Sequence, residues 1–196
     1  MATVASILWR RLDQEGHDAC HLTSTPDGWR LWGVAAFLLD GKPSALRYSV
    51  ECDAGWRTRS ASVDGWIAQS DYSAEIVATG DGRWLLNGEE QASAFGCVDV
   101  DLGFTPATNM LPLRRFALEV GAATPAPAAY LTVPELRLTR LTQTYRRLGE
   151  VRYHYESPAF SYAEVLEVDD VGFVTSYPDL WQVTSLLTST GHADSP

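Results

Sequence analysis

The chain is predicted to be mainly β, built from many antiparallel strands. Three observations carry this. Apolar residues recur with period two, turn signals interrupt the runs at short intervals, and convincing amphipathic helices are nearly missing. Tyr48, Val50 and Cys52 alternate with Arg47, Ser49, Glu51 and Asp53, and Val151, Tyr153 and Tyr155 alternate with Arg152, His154 and Glu156. Such alternation marks strands with one buried face.

In order, strands are expected near 5–12, 17–25, 29–39, 44–53, 56–64, 72–79, 83–87, 97–104, 115–121, 130–133, 136–146, 150–157, 161–169 and 172–177. Between them lie Pro26–Asp27–Gly28, Asp40–Gly41, Asp64–Gly65, Asp81–Gly82, Asn87–Gly88 and Asp170–Val171–Gly172. Asp-Gly and Asn-Gly supply the positive torsions that tight hairpins require. One short helix is expected from Thr105, with Pro106 at its first position and Pro112 ending it early. Trp181–Leu187 is a second helical candidate. The organisation expected is one domain over 1–187 and a flexible polar tail over 188–196. So many strands must close on themselves, stack as two sheets, or curl around something that fills the middle.

Composition narrows the function classes. A hydrophobic fraction of 45% supports a sizeable core and excludes a disordered chain. The net charge is −10 and Lys42 is the only lysine, which argues against nucleic acid and anionic lipid surfaces as partners. Three cysteines, Cys20, Cys52 and Cys97, with no CxxC spacing point to buried thiols in a reducing compartment. The apolar run Val4–Trp9 precedes Arg10 and Arg11, the reverse of a secretion signal, and no run reaches membrane-span length. A cytoplasmic protein without integral membrane association is expected.

The richest stretch is Cys97–Phe116, CVDVDLGFTPATNMLPLRRF. Asp99 and Asp101 share one side of a strand, with Cα atoms ~7 Å apart, opposite Val98, Val100 and Leu102. Glu51 and Asp53 repeat the spacing on another strand, so an acidic patch forms if the two strands are neighbours. Such acids form either a solvated face with arginine partners or the polar wall of a cavity. Carboxylates accept hydrogen bonds from sugar hydroxyls strongly. A glycosidase needs opposed carboxyls, and adjacent acids on one strand match that poorly. The histidines His17, His21, His154 and His192 are scattered, so neither metal nor cofactor is expected. No GxSxG, phosphate loop, HExxH or dinucleotide fingerprint is present, and no catalytic residue is assigned. Tyr145, Tyr153, Tyr155, Phe160 and Tyr162 crowd one region, followed by Tyr177–Trp181; they suit core packing or the lining of a cavity.

Four segments, DVDLGFTPATN with its flanks, YSVECDAGWRTR, QTYRRLGEVRYHYES and YPDLW, together resemble the glycolipid-binding family of small bacterial proteins, over about residues 5–185. The resemblance implies a many-stranded antiparallel sheet curled into an open barrel or roll around a single helix, and often a homodimer. It also implies remote likeness to the lipoprotein-carrier folds of the bacterial envelope, and an acidic pocket for a sugar or lipid head. By position, Asp99, Asp101, Glu51 and Asp53 are the candidates for that pocket. Strand phase nominates Tyr153, Tyr155 and Trp56 as its aromatic wall. The function expected is non-catalytic binding of an amphiphilic small molecule, a glycolipid or its precursor, in glycolipid or cell-envelope metabolism. The alternatives are an enzyme acting on a glycoconjugate through Asp99 or Glu51 as acid or base, and a structural dimer without a small ligand.

Overall fold

The computed structural model describes residues 2–189; the rest of the expected tail, 190–196, lies outside the described residues. The strands are β1 (Ala2–Arg11), β2 (Gly16–Thr25), β3 (Gly28–Leu39), β4 (Lys42–Asp53), β5 (Thr58–Ile67), β6 (Ser70–Ala78), β7 (Trp84–Leu86), β8 (Glu89–Glu90) and β9 (Asp99–Asp101). After the helix α1 (Met110–Phe116) come β10 (Ala123–Pro125), β11 (Ala128–Thr132), β12 (Arg137–Leu141), β13 (Thr144–Arg147), β14 (Arg152–Ser157), β15 (Tyr162–Val168), β16 (Val174–Tyr177) and β17 (Trp181–Thr188). Fourteen of the strands form one sheet, ordered β10-β13-β14-β15-β16-β17-β1-β2-β3-β4-β5-β6-β7-β8. Three more, β12-β11-β9, form a small second sheet, in which β9 runs parallel to β11.

The alternation read from the sequence is the reason for the large sheet. In β4, Leu46, Tyr48, Val50 and Cys52 are buried while Arg47 points out, and β3 and β4 stay in register from Gly28↔Asp53 to Leu39↔Lys42. Asn87 and Gly88 both take positive φ (50° and 84°) in the tight turn joining β7 to β8, as that pair requires.

The sheet does not close, since its edge strands β10 and β8 do not pair with each other. It does curl. Thr105 touches Tyr48 on β4, and Asn109 touches Tyr145 on β13. Those strands lie eight steps apart in the order, about 38 Å in a flat sheet at ~4.8 Å per strand. Thr105 and Asn109 are separated by one tight turn, about 8 Å at ~2 Å per residue. Only a sheet bent around this segment meets both contacts.

Three local expectations are corrected. Pro112 does not end the helix; it lies in the first turn of α1, where a missing N–H costs nothing, and the helix runs to a left-handed Ala117 (φ 43°). Residues 115–121 are therefore helix end and loop, although Phe116, Leu118 and Val120 alternate; Val120 finds no cover and is exposed. Trp181–Leu187 is strand, because β1 offers it a full antiparallel partner, from Arg11↔Trp181 to Ala5↔Thr188. Beyond Leu187, Thr188 is still paired and Ser189 donates its N–H to the Val4 carbonyl (2.9 Å).

Candidate functional site

Residues 97–113 run through the inside of the curled sheet, with Val100, Leu102, Met110 and Leu111 essentially sealed from water. This places Asp99 in the interior and leaves Asp101 half-buried on a cavity wall. Their fates differ. Asp99 is buried, and Arg115 from α1 donates Nε–H and Nη2–H to its two oxygens (3.0 and 2.6 Å). Burial lifts the Asp99 carboxyl above its ordinary range, and the Arg115 fork opposes the lift. Asp101 instead lines a cavity of about 430 Å3. Among the described residues no protein group donates a hydrogen bond to its carboxylate. Burial, and then the neighbouring Asp99, raise its pKa from 3.8 to about 7.

The wall facing Asp101 is aromatic. Tyr130 comes from β11, Tyr155 from β14, Tyr162 from β15, Tyr177 from β16 and Trp181 from β17, with Phe160 at the turn before β15. Tyr155, Tyr162 and Tyr177 pack on one another with centroids 5.4–6.0 Å apart. Gly103 makes the wall possible: a Cβ there would clash with the hydroxyl end of the Tyr130 ring. Arg11 stands at one side, forked onto Asp13 (2.9 and 2.8 Å), its guanidinium 5.0 Å from the Trp181 ring and 5.6 Å from Phe37.

Behind the cavity sits a second buried acid, Asp18 of β2, at 0% exposure. Tyr48 (3.0 Å) and Thr105, itself a lining residue, both donate to its Oδ2, while Oδ1 has no partner. Burial raises its pKa to about 7 against those two hydrogen bonds.

The remaining expected site residues lie elsewhere. Glu51 pairs with Arg30 (3.0 Å) at the partly exposed end of β4. Asp53 closes the following turn by accepting the N–H groups of Gly55 and Arg57 (2.9 Å each). Because β4 pairs only with β3 and β5, while β9 pairs with β11, the two acidic pairs do not merge into one patch. Trp56 stacks on Trp29 (4.6 Å) under the guanidinium of Arg114 (5.2 Å), away from Asp101. Tyr153 lines a different cavity of about 540 Å3. There the charged groups hold the chain together: Arg147 donates to the carbonyls of Leu118, Gly149 and Glu150, and Asp169 Oδ1 accepts from Gly172 and Phe173. Only Asp101 and Tyr155 of the seven meet at one cavity.

Sequence reasoning missed Asp18, Arg11, Tyr130 and Asn109. For Asp18 a signal was present, since it shares a strand phase with the buried Cys20 and Leu22, and an acid in core phase demands a partner. Among the described residues no three His, Cys, Asp or Glu side chains converge as a metal site, and no helix is long and apolar enough to cross a membrane.

Comparison with known proteins agrees with this architecture. No curated protein matches the chain. The crystal structure of a DUF1089 family protein from Pseudomonas aeruginosa is similar, with a TM-score of 0.76 and 30% identity over 85% of this chain and 91% of that one. A family profile described as "Putative glycolipid-binding" matches residues 6–183, from β1 into β17, and the chain therefore belongs to that family.

Proposed function

We propose that this protein binds an amphiphile, a glycolipid or its precursor, in the cavity beside Asp101 and carries out no chemistry on it. The observation that supports this most is Asp101 itself, a carboxylate without a protein partner on the wall of an aromatic cavity. A half-buried carboxylate with no protein donor is left for solvent or a ligand to satisfy. The volume of about 430 Å3 falls within the ~300–1,000 Å3 of small-molecule sites. Tyrosine and tryptophan faces suit the apolar side of a sugar ring or the start of an alkyl chain. The membership of the family supports the same ligand class.

The reading extends to a cytoplasmic homodimer. Its supports are three cysteines that are all free and buried, and an outer sheet face that exposes Trp32, Val34 and Trp66. Light scattering at micromolar concentration is expected to give twice the chain mass. Native mass spectrometry of protein purified from its own host is expected to show a bound amphiphile. A protein that is empty there, and that also ignores a glycolipid panel, would sink the binding function.

A further inference from the structure

The charges and hydrogen-bond donors around the cavity select among heads that an amphiphile can carry. Each cation near Asp101 is already matched. Arg115 is forked onto Asp99, and Arg11 commits its Nε–Nη2 edge to Asp13 while Trp181 and Phe37 flank its guanidinium. With those two pairs neutral, Asp101 leaves one uncompensated negative charge on the wall. Two hydroxyl protons of the aromatic wall are already committed within the protein. Tyr155 donates to Gln143 Oε1 (2.9 Å) and Tyr162 to the Pro178 carbonyl (2.7 Å). What remains toward the ligand is the Asp101 carboxylate, the unpartnered hydroxyl of Ser157 and the aromatic rings. An anionic head needs donors, and a neutral sugar needs donors and acceptors together. An ammonium needs acceptors and negative ring faces, and it alone also offsets the unmatched charge of Asp101.

From this, and resting on the reading of the cavity as a ligand site, we propose that the head it takes is a cation, an organic ammonium seated between the Asp101 carboxylate and the rings of Tyr130, Tyr155, Tyr177 and Trp181. A primary amine, as on an amino sugar, and a quaternary ammonium share this chemistry. The first donates hydrogen bonds to Asp101 and the second does not. The upward pKa shift of Asp101 is consistent with a group awaiting such a partner, since a nearby cation restores the charged form.

The experiment titrates the full chain with four probes that share an eight-carbon chain, each below its micelle concentration, following tryptophan fluorescence. The heads are trimethylammonium, 2-amino-2-deoxyglucoside, glucoside and sulfate. At least one cationic head is expected to bind about tenfold tighter than octyl glucoside, and octyl sulfate weakest; tenfold corresponds to ~1.4 kcal/mol, within the reach of one desolvated cation–π contact. Preference for the amino sugar over trimethylammonium identifies hydrogen bonding to Asp101 as the dominant contact, and the reverse identifies the ring faces. Asp101→Asn is expected to erase the preference for cationic heads over octyl glucoside. Octyl glucoside binding as tightly as the better of the two cations overturns the cationic head and leaves amphiphile binding standing. Failure of all four to bind removes the cavity as the site. Because the unaltered chain decides among the heads, the outcome does not depend on whether Asp101→Asn folds.

Discussion

Asp18 is held out of water with two hydroxyl donors on one oxygen and none on the other. Such a group taxes the fold more as it ionises. Its pKa stands at about 7 in the folded chain against 3.8 for an ordinary aspartate, so between those values the folded state holds a proton that the unfolded state has released. Stability is therefore fullest below about pH 4 with respect to this group and is lost as the pH rises through about 7. Asn in its place has no proton to lose. The difference in unfolding free energy between Asp18→Asn and the parent should move in favour of the variant by about 3 kcal/mol between pH 5 and pH 8. Parallel urea titrations measure it directly. Asp101 shifts in the same direction, but it is common to both proteins and cancels in the comparison. A difference that stays flat across that range would mean Asp18 is already charged in the folded chain.

At the scale of elements, the strand–turn–helix unit β9–α1 is where the fold and the candidate site are one construction. A seven-residue helix has almost no stability of its own. It persists because Met110, Leu111 and Leu113 are buried, Asn109 donates to Tyr145, and Arg115 reaches back to Asp99. Arg115→Ala removes the fork and leaves a carboxylate sealed at 1% exposure, so a loss of about 3 kcal/mol in urea unfolding is expected. Adding Asp99→Asn to that variant should recover part of the loss, since the orphaned charge goes with it. Further loss in the double variant would contradict the pairing. This unit also marks the limit of what the residues disclosed. Hairpins from β1 to β6 were legible because each buries one face and alternates with period two. The start at Thr105–Pro106 was legible from its turn chemistry, and Thr105 Oγ1 indeed accepts the Ala107 N–H. The division of labour between Asp99 and Asp101 was not. Equal spacing and equal chemistry gave no sign that an arginine sixteen residues beyond Asp99 would take that acid and leave the other. Glu51 and Asp53 looked equivalent to them for the same reason, because period two reports a shared face and says nothing of which strands become neighbours.

The whole molecule is built on a fourteen-stranded sheet with a weak seam inside it at β16. β3 and β4 pair along their entire length, whereas β16 shares two register positions with β15 and two with β17. That short strand joins the half ending in β17 to the half beginning at β15, and it carries Tyr177 into the cavity. Side chains do what the ladder does not. Trp9, fully buried on β1, donates its indole N–H to the Val174 carbonyl (2.6 Å) and meets Phe173 edge to face at 5.5 Å. Gln182 donates to the Thr175 carbonyl (3.1 Å). Trp9→Phe keeps an aromatic ring but removes the donor, leaving a buried carbonyl short of a partner at a cost of about 1–3 kcal/mol. In hydrogen exchange, amides of β16 should lose protection well beyond those of β3 and β4, because local opening at the seam needs far fewer broken contacts than global unfolding. Any probe that fills the cavity should slow exchange at β16 first, since it bridges Tyr177 to Tyr155 and Trp181 across the seam. Uniform loss across β3, β4 and β16 in Trp9→Phe would instead show that the sheet on the two sides of β16 opens only together.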